Sequence, residues 1–162
     1  MNLEIKRLTF PSDSNVILGQ AHFIKTIEDL YEIIISISPN AKFGIAFSEA
    51  SGDCLIRTEG NSNDLVNVAV KNLIELSCGH SFVIILTDAF PINILNAIKN
   101  CQEVASIFCA TANDVKVVVS YDEDGNGGIL GVIDGLKPKG VEDLDDKGKR
   151  KAFLRKIGYK LV

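Results

Sequence analysis

A helical apolar pattern that changes within a few residues to a strand pattern constrains the fold of this chain most. Apolar residues recur at helical spacing over 64–78, and an unbroken apolar run follows over 81–86. Gly79 lies between the two patterns, where we expect it to end the helix because glycine accepts the left-handed backbone conformation. His80 then begins the strand. A helix followed directly by a buried strand predicts a mixed organisation of helices and strands.

The other apolar patterns extend this organisation along the whole chain. The alternation over 42–50 is the most strand-like segment, and with 54–58 it predicts a hairpin. Its second face consists of Gly44, Ala46 and Ser48, small residues that let another backbone or a ligand come close. Further strands are predicted at 2–10, 16–18, 104–109, 115–121 and 129–133, and further helices after Thr26, over 92–100 behind Pro91, and over 147–157.

These elements predict a single α+β domain spanning residues 1–162, with a mixed, largely antiparallel sheet and packed helices. The chain contains no G-x-x-x-x-G-K-[ST] segment, and no G-x-G-x-x-G segment opens a predicted helix. A serine in a G-x-S-x-G turn is absent as well. We therefore expect neither a P-loop fold nor a Rossmann fold.

Charge and hydropathy narrow the class of protein. The net charge is −4 and the pI is near 5.2, which argues against binding of nucleic acid. The basic cluster over 147–160 follows four acidic residues and is interpreted as a solvated amphipathic helix. The longest apolar runs are too short to span a bilayer, so we expect a cytoplasmic protein without membrane association.

The four cysteines lack the spacing of a metal site. No two of them form a C-x-x-C pair, and neither histidine completes a zinc pattern. Cys54, Cys78 and Cys109 lie among apolar or small residues, so we expect them to be reduced and buried.

His80 is the leading candidate for chemistry because it lies where a loop meets a rigid strand. The alternative is a structural histidine that caps the last carbonyls of the preceding helix. Neutral imidazole can accept a phosphoryl group near pH 7, but the helix end carries partial negative charge. A phosphorylated ring would therefore need to point away from the helix, toward cations or backbone N–H groups.

Further polar residues lie at strand ends and turns, where each is also explained as a turn or cap residue. Glu49 ends an apolar strand face, so burial would raise its pKa as suits a general acid or base, unless a cation holds it charged. Arg57, on the predicted partner strand, could be that cation. We expect these residues to form one polar rim over a sheet, a common place for ligands: Glu49, Arg57, Asn61, Thr111, Asn113 and Asp134.

The chain resembles the adenosine-specific kinase family, a group of small archaeal and bacterial proteins. No single motif carries the resemblance, but the order and spacing of the matching segments extend over nearly the whole chain. They are Lys25-Thr26-x-Glu28-Asp29-Leu30-Tyr31-Glu32, Lys42 to Gly52, Arg57 with Gly60-Asn61, Gly79-His80-Ser81-Phe82, Phe90-Pro91-Ile92-Asn93, Ile107 to Asn113, Ile129 to Gly135 and Arg155 to Lys160.

The resemblance implies an α/β fold outside the common kinase folds, binding of adenosine or AMP, and a homo-oligomer, with a trimer expected. It also implies that His80 carries a phosphoryl group, supplied by ATP or another donor.

In this account Glu49 is a base or metal ligand, Arg57 and Asn61 contact phosphate, and Thr111, Asn113 and Asp134 belong to the substrate site. Asn113 and Asp134 would contact ribose or base. Mg²⁺ held by one or more of Glu49, Asp88 and Asp134 would be a usual arrangement. Gly127 departs from the family pattern, which often has a basic residue there.

Two other classes of function remain open at this point. One is a nucleotide-binding regulatory module without turnover, in which His80 only lines the pocket. The other is a purely structural assembly protein, which would bind no nucleotide.

Overall fold

The computed structural model describes residues 2–161, which form eight strands and four helices. In chain order these are β1 (Asn2–Arg7), β2 (Asn15–Ala21), α1 (Thr26–Ile37), β3 (Lys42–Ser48), β4 (Ile56–Gly60), α2 (Asn63–Leu76), β5 (Ser81–Thr87), α3 (Pro91–Lys99), β6 (Val104–Thr111), β7 (Val115–Tyr121), β8 (Gly127–Asp134) and α4 (Leu144–Lys156).

The strands form two antiparallel sheets. The larger sheet has five strands in the order β4-β3-β5-β2-β6, and the smaller has three in the order β1-β7-β8. The predicted hairpin is present, with Phe47 of β3 opposite Arg57 of β4. On its other side β3 pairs with β5, where Phe47 lies opposite Phe82. The predicted α+β class with largely antiparallel pairing is confirmed.

The five-stranded sheet is covered on both faces. Helices α1 and α3 pack on one face around buried Phe43, Phe47 and Phe82. Helix α2 and the inner face of the three-stranded sheet pack on the other, where Val115, Val117 and Val119 are buried. Strand β5 runs through the middle of the larger sheet and is buried from Ser81 to Leu86. This explains its unbroken apolar sequence, because both of its faces are covered.

The face of small residues on β3 serves helix packing. A Cβ atom added at Gly44 would lie 2.1 Å from the backbone nitrogen of Val66 and 2.2 Å from the carbonyl carbon of Leu65. Helix α2 therefore packs with its backbone directly against β3. Of the two possibilities open from the sequence, backbone or ligand, the backbone occupies the position at Gly44.

The switch from α2 to β5 differs in detail from the prediction. The helix ends at Leu76, and Ser77 takes the left-handed conformation with φ of 52° and donates its N–H to the Leu73 carbonyl. Gly79 is therefore not the residue that ends the helix. It is a site of close approach, because a Cβ atom there would lie 2.9 Å from the Cβ of Ala50.

Two further expectations are wrong. Cys54 is exposed, since it lies in the turn between β3 and β4 with φ of 51°, whereas Cys78 and Cys109 are buried as predicted. Helix α4 is not amphipathic in its packing, because it buries none of its residues. Among the described residues, no helix combines the length and the apolar character that a bilayer crossing requires.

Candidate functional site

The backbone of His80 is fixed on both sides by neighbouring strands. Its N–H donates to the carbonyl of Ser48 at 2.8 Å, and its own carbonyl accepts from the N–H of Ala21 at 2.9 Å. The residue has φ of 59°, the left-handed conformation that side chains other than glycine rarely adopt. Conformations of this kind cost free energy and occur often at functional sites. The hydrogen bonds to β2 and β3 hold His80 in this conformation.

The imidazole of His80 stacks on the ring of Phe47, with 6.0 Å between ring centroids and 17° between ring planes. Phe47 is buried and belongs to the core on the α1 side of the sheet. The alternative role as a helix cap is not supported by the hydrogen bonds of the last turn of α2. Among residues 2–161, the Leu76 carbonyl accepts from the hydroxyl of Tyr121 at 3.0 Å and from the thiol of Cys78 at 3.2 Å.

Glu49 and Arg57 form an ion pair at the same end of the sheet as this histidine. Oε1 of Glu49 accepts from Nε of Arg57 at 2.9 Å and lies 2.8 Å from its Nη2. Oε2 of Glu49 accepts from the N–H of Leu55 at 2.8 Å. The pair lies at the end of the sheet where His80 precedes β5, because Phe47 is opposite both Arg57 and Phe82.

This environment decides between the two protonation alternatives for Glu49. The backbone N–H of Leu55, together with the guanidinium of Arg57, lowers the pKa of Glu49 below its usual value and outweighs the opposing effect of burial. A carboxylate of this kind is charged at neutral pH and is a weak proton acceptor. It is better suited to binding a cation than to general acid or base catalysis.

Two depressions adjoin the ion pair on opposite sides of β3 and β4. A groove of about 440 Å³ on the α1 side is lined by Lys25, Glu28, Arg57 and Glu59, together with Ile24, Ile27 and Thr58. A cleft of about 570 Å³ on the α2 side is lined by Glu49, Gly79 and Asn126, among others. Both volumes lie within the range of small-molecule sites. Arg57 lines the first of the two and Glu49 lines the second.

The turn between β7 and β8 closes against the loop that carries His80. The N–H of Gly127 donates to the carbonyl of Ser77 at 2.8 Å. A Cβ atom at Gly127 would lie 2.7 Å from Sγ of Cys78 and 2.8 Å from the Ser77 carbonyl oxygen. A side chain at residue 127 would therefore displace the turn from the loop that carries His80. Burial raises the pKa of the Cys78 thiol to about 11, so this neighbour of the site is an unreactive thiol.

Asn61 lies at the other end of β3 and is committed to the fold. Its Oδ1 accepts from the N–H of Phe43 at 2.9 Å, and its Nδ2 donates to the carbonyl of Ala41 at 2.8 Å. These bonds join the start of β3 to the turn that precedes α2. The side-chain amide is thus not directed at His80.

Thr111, Asn113 and Asp134 form a hydrogen-bonded cluster. The Thr111 hydroxyl and the Nδ2 of Asn113 each donate to Oδ1 of Asp134 at 3.0 Å. The N–H of Asn113 donates to the Thr111 hydroxyl oxygen at 3.0 Å. Asn113 and Asp134 are exposed. The cluster joins the end of β6 to the end of β8.

The expectation of one polar rim is wrong within a single chain. Thr111 lies opposite Val16 of β2, and Val16 lies opposite Ile85 of β5. Ile85 is near the end of β5 that is far from His80. At about 3.3 Å per residue, the seven-residue strand β5 separates the two ends by roughly 20 Å. Asn61 adjoins β4 and Thr111 ends β6, the two opposite edge strands of the sheet. The sequence could not reveal this separation because it depends on the order and direction of the paired strands.

The three residues suggested as magnesium ligands also lie at opposite ends of the sheet. Glu49 lies at the His80 end of the sheet, whereas Asp88 and Asp134 lie at the other end. Mg²⁺ is commonly held by one or two carboxylates together with substrate phosphates. Glu49 is the one of the three at the His80 end, and both of its oxygens already accept hydrogen bonds, from Arg57 and from the Leu55 N–H. Asp53 is a further carboxylate there, whose Oδ2 lies 4.0 Å from Nη2 of Arg57.

Another cluster of metal-ligating groups lies away from His80. Within residues 2–161, Asp29, Cys101 and Glu103 are the only group of three such side chains close enough to share an ion. The Nζ of Lys25 contacts Asp29 and lies 2.9 Å from Oε1 of Glu103. A lysine ammonium thus already contacts both carboxylates, which makes the cluster a partly buried ion-pair network.

Phe47 and Ser48 contribute to the site although their sequence pattern predicted only a core residue and a member of the small-residue face. Phe47 carries the ring beneath His80, and Ser48 supplies the carbonyl that fixes its backbone. The alternation in β3 predicted Phe47 as a core residue, which it is. Only the pairing of β3 with β5 brings it to the histidine.

Comparison with known proteins agrees with this fold. The family model described as adenosine specific kinase matches residues 6–160. The crystal structure of the PH1918 protein from Pyrococcus horikoshii OT3 superposes with a TM-score of 0.93 at 38% sequence identity, covering 99% of each chain. No curated protein matches the chain.

Proposed function

The chain belongs to the adenosine-specific kinase family, and we propose that it transfers a phosphoryl group to adenosine, with His80 as acceptor or relay. The observation that carries this proposal is the constrained backbone of His80 beside the Glu49–Arg57 ion pair. A non-glycine residue held at φ of 59° by two strands has a fixed position, and phosphoryl transfer requires a nucleophile that is placed in line.

The proposed reaction has two steps. In the first, a ring nitrogen of neutral His80 attacks the terminal phosphorus of ATP or another donor. The N–P bond forms as the bond from phosphorus to the bridging oxygen breaks, and ADP leaves when ATP is the donor. In the second, a hydroxyl of adenosine attacks the same phosphorus and the N–P bond breaks. The hydroxyl proton passes to solvent, AMP is formed, and His80 returns to its neutral state.

Arg57 is proposed to neutralise charge on the transferred group. Its guanidinium lines the groove on the α1 side, the side on which the His80 ring stacks on Phe47. Cations placed at the developing charge are a main source of rate enhancement in phosphoryl transfer. Glu49 orients Arg57 through its hydrogen bonds and, because its pKa is lowered, is proposed as a ligand for Mg²⁺ rather than as a base.

The substrate roles of the remaining residues depend on assembly. We propose a homo-oligomer, a trimer, as the resemblance implies. Within one chain the cluster of Thr111, Asn113 and Asp134 is too far from His80 to hold the same adenosine. A role in contacting ribose or base therefore requires that a second subunit bring this cluster to the histidine. For Asn61 we propose a structural role, because both groups of its amide bond the backbone of β3 and the residue before it.

A regulatory module that binds adenosine nucleotides without turnover is the second candidate. The specific observation in its favour is the commitment of Arg57 to Glu49, which reduces the positive charge available to a phosphate. In that case AMP or adenosine would bind beside His80 and no phosphoryl group would be transferred.

The two functions are distinguished by product formation. We would incubate the purified chain with ATP, Mg²⁺ and adenosine and measure AMP by chromatography, with guanosine as the control acceptor. The proposal predicts repeated turnover with adenosine and little with guanosine. Binding of adenosine detected by calorimetry, with no AMP above the level of a protein-free control, would contradict the kinase and favour the regulatory module.

A further inference from the structure

Residues 136–161, here called the C-terminal arm, make no hydrogen bond or ion pair with the rest of the described chain. Their polar contacts stay within the arm: Arg150 forms two hydrogen bonds with Glu142, and Asp143 and Asp146 form a capping box at the start of α4. None of the residues in α4 is buried. Every arm residue except Leu154 is exposed.

An isolated helix of this kind is not expected to be stable by itself. Helices of about 12–15 residues or fewer are marginal in water, and α4 has 13 residues and includes Gly148. Caps and surface ion pairs add only modest free energy. A surface outside the arm is therefore needed to hold α4, and within its own chain α4 buries nothing.

The end of the arm has the composition of a docking segment. Phe153, Ile157, Tyr159 and Leu161 are 43 to 91% exposed although they are large and apolar. Aromatic side chains are enriched in the buried centres of protein interfaces. Leu136, Val141 and Leu144, at the start of the arm, are 85 to 95% exposed as well, so apolar side chains lie at both ends of the arm.

A second exposed apolar surface lies on the three-stranded sheet. Its inner face packs on the core, whereas on its outer side Leu3, Ile5, Leu130 and Ile133 are 47 to 65% exposed. These four residues, here called the outer face, come from the two edge strands β1 and β8. Between them lies β7, with Val118 opposite Ile5 and Lys116 opposite Ile133. Exposed apolar surface of this kind commonly marks an interaction site.

Charge indicates which surfaces belong together. Residues 1–134 contain 8 lysines and arginines against 17 acidic residues, a net charge of −9, whereas residues 135–162 contain 9 against 4, a net charge of +5. The outer face is bordered by the acidic turn of Asp122, Glu123 and Asp124 between β7 and β8. Attraction between a basic arm and an acidic body favours their association.

We infer that the C-terminal arm of one copy docks on the outer face of a second copy of this chain. The contact is heterologous, because each copy offers an arm to one neighbour and an outer face to another. Such contacts close into a ring when the rotation between copies closes, as the proposed trimer requires. The inference rests on the proposed homo-oligomer and is independent of phosphoryl transfer. A nucleic acid is a poorer occupant, because the end of the arm is apolar and the acidic body repels phosphates.

The test uses full-length variants in sedimentation velocity at matched concentration. The arm variant carries Phe153→Asp with Ile157→Asp, and the sheet variant carries Ile5→Asp, with Leu130→Asp as its replacement if β1 does not tolerate the charge. Ile92→Asp on α3 is the control, because Ile92 is 65% exposed and lies outside both surfaces. We expect wild type and control to sediment as three chains, and both variants to fall threefold in mass with unchanged circular dichroism.

Mixing the two variants makes the test specific for this pairing. The arm variant keeps an intact outer face and the sheet variant keeps an intact arm, so an equimolar mixture should form a one-to-one heterodimer and nothing larger. An oligomeric wild type whose variants both stay oligomeric would overturn the docking while leaving the homo-oligomer intact. A monomeric wild type would overturn both, and a monomer whose arm binds a random RNA oligonucleotide would assign the arm to nucleic acid. AMP formation is assayed separately in each case.

Discussion

The ring of His80 stacks on the ring of Phe47, 6.0 Å away between centroids, at the point where β5 begins. Phe47 is one of the largest fully buried side chains of the protein, and it lies opposite Arg57 in the hairpin. The core thus orients the histidine from below and places the arginine on the same face of the sheet. The rigid core thus gives the His80 side chain, at the end of the strand, a fixed direction.

Replacing Arg57 tests the role of charge at the site. We expect Arg57→Gln to reduce the rate of AMP formation about a hundredfold, which corresponds to about 2.7 kcal/mol of transition-state stabilisation. Steady-state kinetics would measure the effect, with Arg7→Gln as the control because Arg7 forms an exposed ion pair with Asp114. Equal rates in the two variants would show that Arg57 only supports the hairpin.

Glu103 is expected to make stability depend on acid pH. Burial by itself raises the pKa of Glu103. Hydrogen bonds from Cys101 and Lys25 lower it by a larger amount, so the pKa lies well below the usual value. The unfolded chain therefore takes up this proton first, at about pH 4.3. The stabilising contribution is complete above that pH and is lost as the pH falls toward the folded pKa.

We expect Glu103→Gln to lower the free energy of unfolding by about 1–3 kcal/mol at pH 7, because the buried carboxylate loses its partly buried charged hydrogen bond to Lys25. The same variant should lose less stability than wild type between about pH 5 and pH 2. Urea unfolding across this range would measure both effects, with exposed Glu28→Gln as the control. A variant that loses as much stability in acid as wild type would show that another carboxylate is responsible.

Gly127 is expected to tolerate no side chain. Because a Cβ atom there would meet Sγ of Cys78 and the Ser77 carbonyl oxygen, Gly127→Ala should cost about 1–3 kcal/mol of unfolding free energy. Gly128→Ala is a matched control, since the nearest atom to its Cβ would be 4.0 Å away. Thermal unfolding of the two variants would compare them. Equal melting temperatures would mean that the turn moves freely away from the His80 loop.

The sequence predicted most elements because their signals are local. Pro91 opens α3 as predicted, and the strand predicted at 115–121 has the observed bounds. The helix-to-strand switch before His80 is also present. Ser77, and not Gly79, is the left-handed residue that ends α2, whereas Gly79 lies where the chain passes close to Ala50.

The arrangement of the candidate site could not be predicted because it depends on long-range pairing. Glu49 and Arg57 were expected to meet, since a hairpin joins them, and they do. Asp134 and His80 were expected on one rim but lie at opposite ends of the fold. Asp134 bonds Thr111, and the pairing of β6 with β2 places Thr111 at the end of the sheet far from His80. Likewise, no local signal shows that α4 buries nothing within its own chain.

Intact-mass analysis after incubation with ATP and Mg²⁺ tests the central role of His80 most directly. It compares wild type, His80→Ala and His22→Ala, the last as a control at the only other histidine. The account predicts the added mass of one phosphoryl group on wild type and on His22→Ala, none on His80→Ala, and loss of that mass with formation of AMP once adenosine is added. Full labelling of His80→Ala, or AMP formation by that variant at the wild-type rate, would contradict it.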